Sequence, residues 1–182
     1  MIITRDIILD ESRKLVAKDG LKALSIRKLA NNSNVAIGTI YNYFSSKDDL
    51  MISTIESVWE DILSLDQARL DTNNFIDYLS NIFKNLSLGI EKYPNFFNIH
   101  SLSFKAQNIS RAKDSMTNYI EKVSENLMEI LERDPNIRKD VFDDEFTKDD
   151  LLEFILKAIH SFIAENNHNE DLILKIIKKL IY

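Results

Sequence analysis

Apolar residues recur at helical spacing along nearly the whole chain, and no stretch shows the strict alternation of several half-buried strands in succession. Only 3 glycines and 2 prolines are present among 182 residues, so few breaks interrupt this pattern. We therefore predict an all-α fold built from long helices. The length allows one domain with a substantial core, or a small domain joined to a larger one.

The same composition excludes several kinds of site. The absence of cysteine excludes disulfide frameworks, thiolate zinc sites and cysteine nucleophiles. The three histidines are scattered, so we predict no metal site. The three glycines stand alone and form neither a dinucleotide fingerprint nor a P-loop, so we predict no cofactor.

The first residues, Met1-Ile-Ile-Thr-Arg-Asp6, reach an acidic residue before any apolar stretch long enough for a signal peptide. No later segment approaches the length needed to span a membrane. We therefore expect a cytoplasmic protein.

The net charge of −6 argues at first against a nucleic-acid partner, but its distribution is uneven. Residues 1–50 hold eight basic and six acidic residues, a net charge of +2, so the remainder carries −8. This asymmetry suggests a small basic-leaning module attached to an acidic body, although a solvated helix face gives similar counts by chance.

Short helices dominate the first fifty residues. The first helix runs from about Thr4, an N-cap candidate, to a C-cap at Gly20. A second follows Ser25 and ends near Asn32, a third spans roughly residues 36–44, and a long fourth begins at Ser46. Two short helices behind a longer one fit a helix-turn-helix in a three-helix domain. We place this domain, which we call the head, at residues 1–47, and the remaining body at residues 48–182.

The third helix carries unusual chemistry for its size. Ile40 and Phe44 are neighbours one turn apart and anchor it on the core. Its other sides present the pairs Ile37/Tyr41, Gly38/Asn42 and Thr39/Tyr43. Hydroxyls, an amide and a bare backbone therefore cluster on a surface that fits a DNA major groove.

Longer helices follow in the body, each with one apolar stripe. The first of them carries apolar residues from Phe75 to Tyr93, and Pro94 opens a further turn around residues 96–104. The next helix ends before Pro135, because proline disfavours helical geometry in the preceding residue. Thr147-Lys-Asp-Asp150 is a capping pattern ahead of the penultimate helix.

Three segments resemble the DNA-binding domain of TetR-family transcriptional regulators: Ser25-Ile-Arg-Lys-Leu-Ala30, Val35-Ala-Ile-Gly-Thr-Ile-Tyr-Asn-Tyr-Phe44 and Ser46-Lys-Asp-Asp-Leu50. The resemblance covers about the first fifty residues. The rest resembles the family in being helical, as its ligand-binding and dimerisation domains are. Asn34 replaces the usual glycine and tolerates a left-handed backbone, whereas Ala36 replaces the usual hydroxyl N-cap.

The resemblance implies two kinds of contact with DNA, to base edges and to phosphates. Residues that contact base edges select sequence, and residues that contact phosphates set the register. It implies base-edge contacts from Thr39, Ile37 and the Gly38 backbone, phosphate or base contacts from Tyr41, Asn42 and Tyr43, and phosphate contacts from Lys47, Ser25 and Arg27. Taken singly, each tyrosine is equally a packing aromatic and Lys47 a solvated charge.

The last two helices carry a wider apolar face than a monomer buries easily, and packing against the same pair in a second copy solves this. The predicted dimer interface comprises Leu151, Ile155, Ile159, Phe162, Ile173, Ile176, Ile177 and Leu180. The alternative is that both helices close the monomer's own core. A two-fold dimer places its recognition helices about 34 Å apart and predicts a near-palindromic operator.

The resemblance also implies a small apolar or amphipathic effector bound in the body. The candidate ligand-binding residues are Trp59, Phe83, Phe97, His100, Phe104, Met116, Tyr119 and His160. Aromatic residues at helical spacing are equally typical of an ordinary core.

We interpret the chain as a homodimeric, ligand-responsive repressor that binds double-stranded operator DNA. The alternative is a helical protein-interaction module without sequence-specific DNA binding. An enzyme is disfavoured, because adjacent carboxylates such as Asp48 and Asp49 point different ways on a helix and have simpler roles as caps.

Overall fold

The computed structural model describes residues 3–63, 72–94, 96, 106–165 and 169–182, with the backbone alone at 106–116 and 165. Within these ranges the chain is helical and contains no strand, as predicted. The helices are α1 (Arg5–Asp19), α2 (Ile26–Asn32), α3 (Ile37–Tyr41), α4 (Lys47–Leu63), α5 (Phe75–Lys92), α6 (Ala106–Arg133), α7 (Lys148–Glu165) and α8 (Glu170–Ile181). None of these helices is long and apolar enough to cross a membrane.

The chain packs as two compact units. One comprises the described residues of Met1–Ile62 and Gly89–Thr117, and the other those of Leu63–Leu88 and Asn118–Tyr182. The helices α5 and α6 each contribute to both. This grouping reflects packing, and the functional boundary at residue 47 stays a prediction.

The caps of the first two helices follow the sequence. Thr4 precedes α1, and its hydroxyl oxygen accepts a hydrogen bond from the backbone N–H of Ile7 at 3.3 Å. Ser25 caps α2 in the same way, because its Oγ accepts from the N–H of Lys28 at 3.2 Å. Gly20 follows α1 with φ 77°, which an L side chain rarely adopts. A short 3₁₀ turn at Leu21–Ala23, which the sequence did not predict, leads from there towards α2.

The core of the head contains the predicted anchors. Ile40 and Phe44 are buried, and so are residues contributed by α1, α2 and the connection between them: Leu15, Leu24 and Leu29. Burial of one such side chain stabilises the fold by about 1.5–3 kcal/mol. The short third helix is therefore held by its core contacts rather than by its own length.

The contact between α1 and α4 contains buried hydroxyl groups. The Thr54 hydroxyl lies 3.1 Å from the Ser12 hydroxyl and also donates to the carbonyl of Leu50 at 2.7 Å. At the edge of this contact, Arg5 donates to Ser53 Oγ at 2.9 Å, and Arg13 donates to Ser57 Oγ. Since each buried polar group has a partner, the contact is stable without being apolar.

A buried carboxylate joins three segments of the second unit. Asp134 follows α6, and its Oδ2 accepts from the backbone N–H of Phe75, which opens α5, at 2.8 Å. The same oxygen accepts from the Tyr182 hydroxyl, and Oδ1 accepts from the N–H of Asn136 at 2.9 Å. Burial raises the pKa of Asp134, but these hydrogen bonds outweigh it and leave the pKa below its usual value.

The last two helices begin at different kinds of boundary. Thr147 and Asp150 form the predicted reciprocal cap of α7: Asp150 Oδ2 accepts from the Thr147 N–H at 2.8 Å, and Thr147 Oγ1 accepts from the Asp150 N–H at 3.2 Å. Asn169 precedes α8 without a side-chain cap. At the other end of α8, Arg138 donates from its backbone N–H to the Ile181 carbonyl at 2.9 Å.

Candidate nucleic-acid interface

The turn between α2 and α3 sets the orientation of the candidate recognition helix. Asn34 has φ 53°, the left-handed conformation that was predicted for it. The Asn34 N–H donates to the Asn31 carbonyl at 3.1 Å, and the Val35 N–H reaches back to the Ala30 carbonyl at 3.0 Å. This is the hydrogen-bond pattern of a Schellman motif, which ends α2 and redirects the chain into α3.

Helix α3 is shorter than predicted. It spans Ile37–Tyr41 rather than residues 36–44, and Ala36 supplies no side-chain cap. The Thr39 N–H donates instead to the Ala36 carbonyl at 2.9 Å, so a backbone acceptor takes the place of the missing hydroxyl. The N–H groups of Tyr43 and Phe44 both turn back to the Ile40 carbonyl at 3.0 Å, which tightens the end.

The surface of α3 is open and carries mixed chemistry. Ile37 is 41% exposed and Tyr41 52% exposed, although both are large apolar or aromatic residues. Asn42 is exposed and Thr39 half-buried. A Cβ added at Gly38 would meet no atom within 4 Å, so the backbone there is directly accessible. The residues predicted to contact base edges therefore share one accessible surface.

The phosphate candidates lie around this surface. Arg27 on α2 and Lys47, the first residue of α4, are both exposed. The start of α4 is capped by Ser46, whose Oγ accepts from the Asp49 N–H at 3.0 Å. The Ser25 hydroxyl caps α2 as an acceptor and retains its proton for a further partner.

Tyr43 has a partner that the sequence did not indicate. Its hydroxyl donates to the backbone carbonyl of Ile3 at 2.8 Å, across 40 residues of sequence. The phenol therefore ties the segment before α1 to the end of the recognition helix. Contact with a phosphate by the same proton requires that this hydrogen bond be exchanged.

The predicted ligand-binding residues are spread over the chain. Trp59 is buried in the first unit, with its ring 5.6 Å from that of Phe96. Phe83 is buried in the second unit, with its ring 5.2 Å from that of Phe162. Tyr119 is half-buried, and His160 is exposed. Phe97, His100, Phe104 and the Met116 side chain lie outside the described residues.

Two polar features of the body were missed by the sequence reasoning. Asp61, near the end of α4, accepts hydrogen bonds from Lys92 Nζ and the Tyr93 hydroxyl, both at 2.7 Å. Burial opposes the ionisation of Asp61, yet these two donors lower the pKa of Asp61. Burial and the hydrogen bond to Asp61 together raise the pKa of Tyr93. Asn126 is a buried amide in the otherwise apolar stripe of α6. The sequence signal for Asn126 is its place among apolar residues at helical spacing, where an amide is unusual.

The predicted dimer-interface residues divide into two groups. Ile176 and Leu180 are exposed, at 47% and 39%, and Ile159 and Ile173 are half-buried. The remaining four, Leu151, Ile155, Phe162 and Ile177, lie in the interior. Their full burial within the chain corrects their assignment to a surface. Phe154 and Leu172, which were not predicted, are exposed on the same two helices.

The arrangement of α2, α3 and the turn between them defines the class of helix-turn-helix folds. Residues 8–54 match the family model described as bacterial regulatory proteins, tetR family. The match covers most of the head and the start of α4, and it agrees with the predicted resemblance of the first fifty residues to the DNA-binding domain of TetR-family regulators.

Relatives and solved structures agree with this class. An uncharacterized HTH-type transcriptional regulator of Haemophilus influenzae is 33% identical over 48% of this chain and 47% of its own length. The HTH-type transcriptional repressor KstR of Rhodococcus jostii is 40% identical over 30% of this chain and 26% of its own length. The chain thus spans about half the length of the curated relatives it matches, or less.

One solved structure extends the likeness beyond the head. The transcriptional regulator FadR of Bacillus subtilis, in complex with stearoyl-CoA, superposes with a TM-score of 0.59 at 19% identity. The match covers 87% of this chain and 82% of that chain. It confirms the all-α fold with a helix-turn-helix head and a helical C-terminal domain.

Proposed function

We propose that this DNA-binding regulator is a homodimeric repressor that binds a near-palindromic operator in the cytoplasm and is released by a small apolar or amphipathic effector. The open surface of α3 is the observation that carries the proposal. Ile37 and Tyr41 are exposed to solvent on a helix whose opposite side, Ile40, is fully buried. Such exposure of large side chains is costly unless a partner covers them.

The charges around α3 support DNA as that partner. Arg27 and Lys47 flank the helix on neighbouring elements, where they meet phosphates while α3 meets base edges. The positive end of the α4 helix dipole lies beside Lys47. The acidic body is repelled by phosphate, which confines DNA contact to the head.

A second copy of the chain is the proposed partner of α7 and α8. Leu172, Ile176 and Leu180 recur every fourth residue, so they form one stripe along the exposed side of α8. The proposed interface consists of this stripe together with Phe154, Ile159 and Ile173. It leaves out the four residues that already lie in the interior.

The switch is proposed to act through α4. This helix is held to α1 by Ser12 and Thr54, and near its end Asp61 binds Lys92 and Tyr93. A change around Asp61 therefore reaches the head through one continuous helix. The effector shifts the protein between two states only if it binds one state more tightly than the other. Because the coupling is reciprocal, the factor by which the effector weakens operator binding equals the factor by which operator DNA weakens effector binding.

Stearoyl-CoA is the first effector to test, because the FadR structure was determined with it. The expected result is weaker operator binding in its presence and weaker stearoyl-CoA binding in the presence of operator, by equal factors. Equal operator affinity with and without stearoyl-CoA would exclude this molecule as the effector.

Gel-shift assays at two salt concentrations test the DNA-binding proposal. Lys47→Ala should weaken binding to all duplexes and reduce the salt slope by about 1. Thr39→Ala should also relax the choice of sequence. Lys139→Ala, which removes an exposed charge from the body, is the control. Unchanged affinity of the Lys47 and Thr39 variants would refute the proposed interface.

A further inference from the structure

The recognition surface lacks charge altogether. The segment Leu29–Ser46, which contains the turn and α3, has no Asp, Glu, Lys or Arg, although the flanking positions Lys28 and Lys47 are both basic. Bidentate contact of arginine or lysine with guanine is the commonest specific contact to DNA. Helix α3 has no side chain that can make it.

The exposed groups of α3 match a different set of base edges. Ile37, 41% exposed at the first position of the helix, offers an aliphatic surface of the kind that contacts the C5-methyl group of thymine. The exposed amide of Asn42 can donate to N7 and accept from N6 of adenine. The bare backbone at Gly38 lets α3 approach these edges closely.

Nearby cations are engaged elsewhere or lie off the helix. The Arg5 guanidinium donates to Ser53 and lies 5.4 Å above the Phe44 ring, and Lys28 is held by Asp19 at 2.5 Å. Arg27 and Lys47 are exposed, but they belong to α2 and α4. Both are therefore candidates for phosphate contacts rather than for base edges.

We propose that α3 and Asn42, which directly follows it, read A·T base pairs, with Ile37 on a thymine methyl group and Asn42 on an adenine edge. The inference rests on the proposed function, since it assumes that α3 enters the major groove. It adds the class of base pair that the site selects.

Selection from a pool of duplexes with a randomised central region identifies the preferred site. The wild-type protein and the variants Ile37→Ala and Asn42→Ala are compared, and the positions at which a variant loses preference are those read by that residue. We expect A·T pairs at these positions. Leu88→Ala and Asn118→Ala remove an exposed leucine and an exposed asparagine from the body and serve as matched controls.

Single-atom changes in the selected duplex then test each contact. Deoxyuridine in place of the assigned thymidine removes only the methyl group and should weaken wild-type binding about fivefold, but binding by the Ile37→Ala variant hardly at all. An adenine analogue with carbon in place of N7 should weaken wild-type binding about tenfold and leave the Asn42→Ala variant unaffected.

The outcomes distinguish failure of the proposed A·T readout from failure of the proposed DNA binding. Selected G·C pairs at the assigned positions, or equal losses in wild type and variants, would overturn the inference while sequence-specific binding stands. A selection that enriches no sequence contradicts the proposed function itself.

Discussion

Helices α3 and α8 both expose large apolar side chains, yet their surfaces are built differently. On α3, Gly38 and Thr39 lie between Ile37 and Tyr41, and the amide of Asn42 follows directly. On α8, the exposed residues form an uninterrupted aliphatic stripe, and the lysines lie beside it. Exposure alone therefore does not define a partner. The polar groups among the apolar ones are our reason for proposing base edges as the partner of α3, and their absence from the stripe is our reason for proposing another protein as the partner of α8.

The largest expected effect comes from placing charge in the α8 stripe. The double variant Ile176→Asp/Leu180→Asp buries carboxylates without partners in the proposed interface, so it should be monomeric. Loss of the second head should weaken operator binding by more than about a hundredfold. Sedimentation velocity and gel shifts measure the two effects. Lys175→Asp, on the same helix, is the control, and a double variant with unchanged mass would contradict the interface.

Two glycines provide the next test, since they differ in what surrounds them. A Cβ at Gly38 meets open space, so Gly38→Ala should leave the melting temperature unchanged or slightly higher while it lowers operator affinity about tenfold. A Cβ at Gly89 lies 2.8 Å from two side-chain carbons of Ile62. Gly89→Ala should therefore lower the free energy of unfolding by about 1–3 kcal/mol. Thermal melts and gel shifts separate the two outcomes, and equal losses of stability would refute the contrast.

The anchor of α8 should depend on pH. Because the pKa of Asp134 is below its usual value of 3.8 in the folded protein, its stabilising contribution is present at neutral pH and disappears as the pH falls below that value. Asp134→Asn should cost about 1–3 kcal/mol at pH 7, since the Phe75 N–H and the Tyr182 hydroxyl lose their shared carboxylate. Circular dichroism melts from pH 7 to pH 3 should show a shallower acid decline in the variant. Parallel declines would contradict this role.

The smallest effect concerns the hydroxyl of Tyr43. Tyr43→Phe removes the hydrogen bond to the Ile3 carbonyl on a partly exposed surface, so stability should change by less than about 1 kcal/mol. Operator affinity should fall a few-fold, because the recognition helix loses its tie to the segment before α1. Tyr41→Phe removes a hydroxyl from the neighbouring surface and is the comparison. Identical binding by wild type and Tyr43→Phe would leave the hydrogen bond without a role on DNA.

Local signals in the sequence predicted where α1 and α2 begin and how α2 ends, but not the length of α3. Thr4, Ser25 and Asn34 act within a few residues of their position, so their chemistry determines their conformation directly. The exposed surface of α3 was predicted for a similar reason, because Ile40 and Phe44 leave it only one orientation on the core.

Contacts between distant residues could not be predicted in this way. The bond from Tyr43 to Ile3 and the close approach of Gly89 to Ile62 depend on how helices pack. The burial of the predicted interface residues could not be predicted either. Helix α7 is apolar over a wide arc, so periodicity alone does not show that Ile155 is buried and Phe154 exposed.

The Asp134 cluster has a consequence for the order of folding. Its hydrogen bonds span 59 residues to Phe75 and 48 residues to Tyr182, whereas the core of the head draws on the first fifty residues or so. Long-range closures form slowly, and this one cannot form until Tyr182 has left the ribosome. The head can therefore complete its packing during synthesis. The hydrogen bonds that join the start of α5 and the end of α8 to Asp134 form only after synthesis of Tyr182.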